Sequence, residues 1–306
     1  MNLRNMKQFS VFKYSGDIFI RRKSTSTAEY CLGSVKKHDY ENFMCTLLLK
    51  DTARSCAIAV RSFNIEVARV SEQVTQRNIG LMRLKFWEEL IDKVFTKDAT
   101  KVPQHPVAIE LFKALTRVNF TKRYFKTLIS SRSEFMNKNT FSNLEDIEKY
   151  TEKTVSNVYY LLLEGNRIKN IHADHAASHL GKAQGIVQQL RTVPISKQIN
   201  FICLPQDLLA KNKVSHEEIL RTKKSDRLTE CVYEVASRAH QHLTMARNLL
   251  GQVPKEARDI LLPAVNVDLY LERLQKVHYD IFHPSLQIRS WLWLPKLWMA
   301  HYRNRY

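Results

Sequence analysis

Glycine and proline are scarce in this chain of 306 residues, which holds 7 Gly and 8 Pro. With so few chain breakers and 44% hydrophobic residues, a turn-rich β architecture is excluded and long helices around one core are favoured. No apolar run reaches the ~18 residues that a single membrane-crossing helix requires, so no segment reads as a span. Cysteine is sparse too. Cys31, Cys45, Cys56, Cys203 and Cys231 are odd in number and widely spaced, and none forms a C-x-x-C pair. A disulfide scaffold and a zinc knuckle are both excluded on that spacing, and a reducing compartment fits.

Positive charge is abundant. The 48 Lys and Arg outnumber the 30 Asp and Glu, for a formal charge of +18. Such a balance suits an acidic partner or an anionic membrane. The basic residues, among them Lys36, Lys37, Lys122, Arg123, Lys223, Lys224 and Arg227, are scattered and form no nucleic-acid motif, so nucleic acid is not an expected partner. Part of the charge is concentrated at the start. Residues 1–27 carry Arg4, Lys7, Lys13, Arg21, Arg22 and Lys23 against the single Asp17, among several Ser and Thr. That is the composition of a mitochondrial transit peptide, and its removal would leave a charge of +13 on a domain spanning 28–306.

Apolar residues recur at three- and four-residue intervals over 36–49, 51–71 and 78–95, which predicts three helices. Pro106 opens a fourth to Val118, Thr121 caps a fifth towards Phe135, and Ser142 begins a sixth. After the Gly165-Asn166 break, a helix is expected from Ala173 to about Leu190, followed by a loop. Ser225 caps a long helix to Leu250, and Pro254 opens another to Lys276, interrupted at Pro263. Only Ile199 to Leu204 alternates as a short strand does, so the fold class is all-α in a single domain.

Several segments, taken in order, resemble the squalene/phytoene synthase family. They are Tyr30-Cys31, Leu47-Leu48-Leu49 with Arg54, Arg61-Ser62-Phe63, Arg83 with Phe86-Trp87, His105-Pro106, Gly181-Lys182-Ala183-Gln184, Leu204-Pro205-Gln206-Asp207 and Tyr279-Asp280-Ile281-Phe282. The resemblance covers roughly residues 30–285. It implies an isoprenoid-synthase-type helical bundle in which two D-x-x-x-D motifs hold magnesium ions that bind a substrate diphosphate. Carboxylates four apart share one helical face, which is why that chemistry needs the spacing.

Here the first motif falls on Asn64 and Ala68, and the second, after Leu190-Arg191, on Thr192 and Ser196. None is a carboxylate. Glu66 lies two residues on, about 200° around a helix, and should face away. The resemblance therefore implies a pseudoenzyme without catalytic residues or cofactor. Its cavity would be filled or would take an apolar isoprenoid or lipid ligand, in the manner of a carrier; a residual prenyl transferase is the remaining alternative.

A narrower resemblance rests on His172 to Gly185 and on Asp280 to Leu286, and it is to members of the family that assemble respiratory complex I. It implies a mitochondrial protein on the matrix face of the inner membrane, acting early on a membrane-embedded core subunit, with complex I subunits or assembly intermediates as partners.

Two further features have alternative readings. His172, His175 and His179 share one helical face as transition-metal ligands would, yet histidines opening a helix more often cap and pack, so no metal is expected. The C-terminal stretch of about 286–306 interleaves Trp291, Trp293 and Trp298 with Lys296 and Arg303. This mixture predicts either peripheral membrane contact or a terminal helix packed on the core.

Overall fold

The computed structural model describes residues 26–199 and 201–306. The basic segment read as a transit peptide lies, up to residue 25, outside the described residues. Ser26 and Thr27 belong to the fold: Ser26 and Glu29 form a reciprocal capping box at the start of the first helix.

The helices run in chain order as α1 (Thr27–His38), α2 (Tyr40–Leu47), α3 (Asp51–Ala68), α4 (Arg77–Val94), α5 (Pro106–Arg117), α6 (Lys122–Lys138), α7 (Leu144–Thr151), α8 (Asn157–Gly165), α9 (Ile171–Thr192), α10 (Ser196–Ile199), α11 (Gln206–Lys211), α12 (His216–Leu220), α13 (Asp226–Asn248), α14 (Lys255–Arg258), α15 (Ala264–Lys276) and α16 (Trp293–Tyr302). A π-helical turn, Glu152–Ser156, joins α7 to α8.

Several expectations from the sequence need correction. The helix over 36–49 is two, because Asp39 breaks it with an extended φ of −143°. The helix expected from Ala173 begins at Ile171, where the Asn170 side chain accepts from the amides of His172 and Ala173, and it continues to Thr192. The strand expected over 199–204 is absent among the described residues, which contain no strand. Ile202, Cys203 and Leu204 instead tuck into the core as irregular chain, since no neighbouring strand is available to pair with them.

Helix α9 lies at the centre and packs along α13, with α7, α8, the π turn and α15 around it. Its Gly181 and Gly185 make this possible. A Cβ on Gly181 would stand 2.6 Å from the Ser156 Cα, and one on Gly185 2.3 Å from the Thr151 Cγ2. The family-like landmarks prove to be structural. His105 caps α5 and meets the Trp87 ring edge-on at 5.0 Å, Phe63 packs on Trp87 and Phe125, and the Arg54 Nε donates to the Leu49 carbonyl at the α2–α3 junction. Gln206 and Asp207 donate their amides to the carbonyls of Phe141 and Ser142, which ties α11 to the start of α7.

Candidate functional site

Helix α3 presents Arg61, Asn64 and Ala68 along one face, and α9 presents Gln184, Gln188 and Thr192 at intervals of four. Together with Arg132 of α6 and Tyr150 of α7, these side chains line a half-open cavity of about 550 Å³. Three of the four positions where carboxylates were expected, Asn64, Ala68 and Thr192, therefore meet in one place. Ser196 does not join them: it is buried in α10 and its hydroxyl has no partner among the described residues. Glu66 points elsewhere, accepting a hydrogen bond from the Tyr30 hydroxyl at 3.0 Å.

The wall of the cavity carries a hydrogen-bond chain. Tyr159 donates to the Gln184 amide oxygen, Gln184 donates to Asn42 (3.2 Å), and Asn42 donates to Asp39 (2.8 Å). Asp39 in turn lies 3.6 Å from the Arg61 guanidinium. Burial pushes the Asp39 carboxyl above the usual carboxylate range despite the attraction of Arg61. On the facing side, Arg132 donates to the Leu128 carbonyl and to the Asn64 side-chain oxygen, each at 2.7 Å.

Magnesium does not fit this site. Its octahedral shell draws on carboxylate and other hard oxygens. Here the Asn64 oxygen is already engaged by a guanidinium, Ala68 offers nothing, and the Thr192 hydroxyl donates to the Gln188 carbonyl. Lys37, Arg61, Arg69 and Arg132 against Asp39 and Glu72 give the lining a net positive charge, which repels a cation. The lining is also too polar for a long apolar chain, while the middle of the bundle is filled by Phe63, Phe125 and Tyr159.

The histidines on α9 do not converge. The His179 Nδ1 lies 3.0 Å from the His242 Nδ1, and the His242 Nε2 lies 3.0 Å from a Glu148 oxygen. His175 is exposed, and among the described residues no three His, Cys, Asp or Glu side chains gather as metal ligands would. Burial holds the His179 imidazole below its ordinary value, with the neighbouring His242 adding to the effect.

The C-terminal helix combines both readings of its sequence. Trp293 and Leu297 are buried against Cys45, Leu262, Val265 and Leu269, so Trp293 is a core residue and not a membrane-facing one. The Arg289 guanidinium stacks 4.3 Å from the Tyr40 ring centroid, next to Trp293. Leu294, Trp298 and Tyr302 form an exposed stripe at i, i+4 and i+8, with Trp291 82% exposed beside it. Lys296 pairs with Glu272 at 3.0 Å, and Arg303 is exposed. Among the described residues no helix is long and apolar enough to cross a membrane.

Sequence reasoning passed over Arg132, Tyr150 and the Gln184/Gln188 stripe. One signal was available: glutamines four apart in the C-terminal half of α9, continuing to Thr192. Arg132, four residues after Leu128 on the buried face of α6, offers a weaker cue.

Comparison with known proteins places these features. The squalene/phytoene synthase family model matches residues 35–292. A Bos taurus protein named NADH dehydrogenase (ubiquinone) complex I, assembly factor 6, is 41% identical over 92% of this chain and 84% of its own length. The Drosophila melanogaster homologue of that factor is 40% identical over 91% of this chain and 84% of its own. The crystal structure of squalene synthase HpnC from Alicyclobacillus acidocaldarius superposes with a TM-score of 0.72 at 18% identity, covering 83% of this chain and 94% of that one. Its low identity supports the bundle fold alone. The chain belongs to the squalene/phytoene synthase family.

Proposed function

We propose that this protein is a non-catalytic assembly factor for mitochondrial respiratory complex I. The observation that carries the reading is identity of about 40% across nine-tenths of the chain with proteins named for that role. The cavity supports the absence of catalysis. Ionising a diphosphate needs a metal to take up the charge of the leaving group, and Asn64, Ala68, Thr192 and Ser196 supply no carboxylate for one. The mature protein acts on the matrix face of the inner membrane, early, on a membrane-embedded core subunit. The stripe of Leu294, Trp298 and Tyr302, with Trp291, supports peripheral contact with that membrane, because exposed aromatics beside cationic residues suit the headgroup region.

The test is a knockout assayed for assembled complex I on native gels. Loss of the complex, restored by the wild-type chain, is the expected result; normal complex I without the protein overturns the assembly role. Incubation with farnesyl diphosphate and magnesium should give no prenyl product, and product above background overturns the non-catalytic half. For the membrane contact, substitution is a cleaner probe than truncation, because Trp293 and the Tyr306 hydroxyl, bonded to the Ala246 carbonyl, anchor the C-terminal segment to the core. Trp291→Ser/Trp298→Ser/Tyr302→Ser should weaken binding to cardiolipin-containing vesicles, and unchanged binding removes that contact from the model of action.

A further inference from the structure

The cavity lies at one end of the bundle, and the opposite end is a cationic pole. Helix α3 joins the two: Asn64 lines the cavity, while Arg54 stands about 15 Å back along the helix axis. Helix α9 repeats the arrangement, with Arg167 just before its first turn and Gln184, Gln188 and Thr192 at the cavity. A chain of hydrogen bonds gathers the pole from several segments. The Arg117 guanidinium, at the end of α5, donates to the Ser55 hydroxyl of α3 at 3.2 Å, and Arg167 donates to the Arg117 carbonyl at 3.1 Å. The neighbouring Asn166 donates to the Glu256 carbonyl of α14 at 3.1 Å. Beyond it the Asn304 side-chain amide donates to the Lys255 carbonyl, and Arg258 donates to the oxygens of Asn304, each at 3.3 Å. Arg54, Arg117, Arg167, Lys255 and Arg305 are exposed on these segments, and Arg258 is half-buried.

Elsewhere on the molecule, Lys113, Lys122, Lys126 and Lys182 each pair with a carboxylate. At the pole, every acceptor that Arg54, Arg117, Arg167 and Arg258 reach among the described residues is neutral: a carbonyl, a hydroxyl or an amide oxygen. Holding the chain ends after α2 and α5 uses one N–H of Arg54 and one of Arg167, and leaves the rest of each five-donor fork exposed. Of the acids in these segments, Glu164 is held by Thr121 and Asp259 by His301, so exposed Asp51 and Glu256 are outnumbered. The pole also adjoins the aromatic stripe. Arg303 and Arg305 flank Asn304, and just before them the exposed Tyr302 ring stacks on Trp298 with centroids 5.6 Å apart.

We propose that this pole docks on an anionic phospholipid membrane, with Trp298 and Tyr302 entering at its edge and the cavity mouth held away from the bilayer. The proposal rests on the membrane contact proposed above and adds to it a lipid charge and an orientation. Cations without internal counter-ions attract a negative surface undiminished, and exposed rings beside them suit the headgroup region. A broad face assembled from α3, α5, α14 and two connecting segments matches a planar array of charges better than it matches one acidic side chain.

Co-sedimentation of the full chain with cardiolipin-doped phosphatidylcholine vesicles, against pure phosphatidylcholine vesicles, is the first test. Cardiolipin should strengthen binding about tenfold or more, and added sodium chloride should weaken it. Arg117→Gln/Arg167→Gln/Lys255→Gln should lower binding to the doped vesicles about tenfold, whereas Lys138→Gln/Lys197→Gln/Lys213→Gln, which removes equal charge at the other end of the bundle, should stay within about twofold of wild type. Orientation is read separately. The native cysteines are all buried, so a fluorophore attached through Asn119→Cys at the pole or Lys138→Cys at the cavity end reports one position. Lipid carrying a headgroup nitroxide should quench the first more strongly. Should the pole substitutions unfold the chain by circular dichroism, this labelled pair, which keeps all six cations of the pole, decides. Four results would overturn the proposal: equal binding to the two kinds of vesicle, pole and cavity-end variants that bind alike, stronger quenching at position 138, or capture by polyglutamate without binding to vesicles, which would assign the pole to an acidic polypeptide. Binding lost in Trp291→Ser/Trp298→Ser/Tyr302→Ser but kept in the pole variant leaves the membrane contact standing and removes the docking pole; a wild-type chain that binds neither vesicle removes both.

Discussion

Helix α9 carries two polar regions that treat their hydrogen bonds in opposite ways. On the side facing the π turn, Glu152 accepts from Tyr160 (2.5 Å), Ser178 (2.8 Å) and Ser156 (3.2 Å) and pairs with Lys182 at 3.3 Å. Its carboxyl is partly buried, which opposes ionisation, yet these donors hold it below the usual value. On the side facing the cavity, Arg61 stands opposite Gln184 and Gln188, and its buried Nε has no partner among the described residues. The first region is closed and architectural. In the second, a buried guanidinium keeps a donor that no protein group satisfies among the described residues.

Substitutions that break this contrast should differ in size. The largest loss is expected at Gly181→Val, where the new side chain meets the Ser156 backbone; a cost of about 3 kcal/mol, measured by chemical denaturation, would follow from overpacking. Glu152→Ala leaves Tyr160, Ser178 and Lys182 without their shared acceptor, for about 2 kcal/mol in the same assay.

A pH titration probes the edge of the closed region. His179 has a folded pKa below its ordinary 6.5, so the unfolded chain takes up the proton more readily. Its contribution is therefore fully present above pH 6.5 and is lost as pH falls through that value towards the lower folded one; His179→Phe should flatten this part of the stability profile. Arg61→Met should have the smallest effect, within about 1 kcal/mol of zero, because removing a guanidinium whose Nε has no partner among the described residues offsets leaving Asp39 without the counter-charge 3.6 Å away. A loss comparable to that at Glu152 would mean that the two regions are alike after all.

Much of the bundle was legible because apolar periodicity and caps agree over long stretches. Ser225 caps α13 as its sequence suggests, and Pro263 does interrupt the chain before α15. The Asp39 break was not legible, since it depends on a tertiary pull: Asp39 leaves the helical path and turns to Arg61 and Asn42. Nor was the π turn, whose extra residue per turn is set by packing against α9. For the site, the neutral side chains of Asn64, Ala68 and Thr192 could be read directly from the sequence. The positive replacement was not legible, because Arg132 reaches Asn64 across 68 positions of sequence. Periodicity also left open how α16 divides its tryptophans. Only the position of Cys45 and its neighbours decides that Trp293 turns inward and Trp298 outward.

The two glycines of α9 also act as an index mark for rotation. With Gly181 and Gly185 seated against Ser156 and Thr151, the helix has one allowed angular setting, and in that setting Gln184, Gln188 and Thr192 come round to the cavity. A slip by one residue would turn the helix by about 100°, carry that stripe into the core and bring apolar side chains to the cavity. The glycines thus time the helix, fixing which chemistry faces Arg61 and Arg132 without touching either.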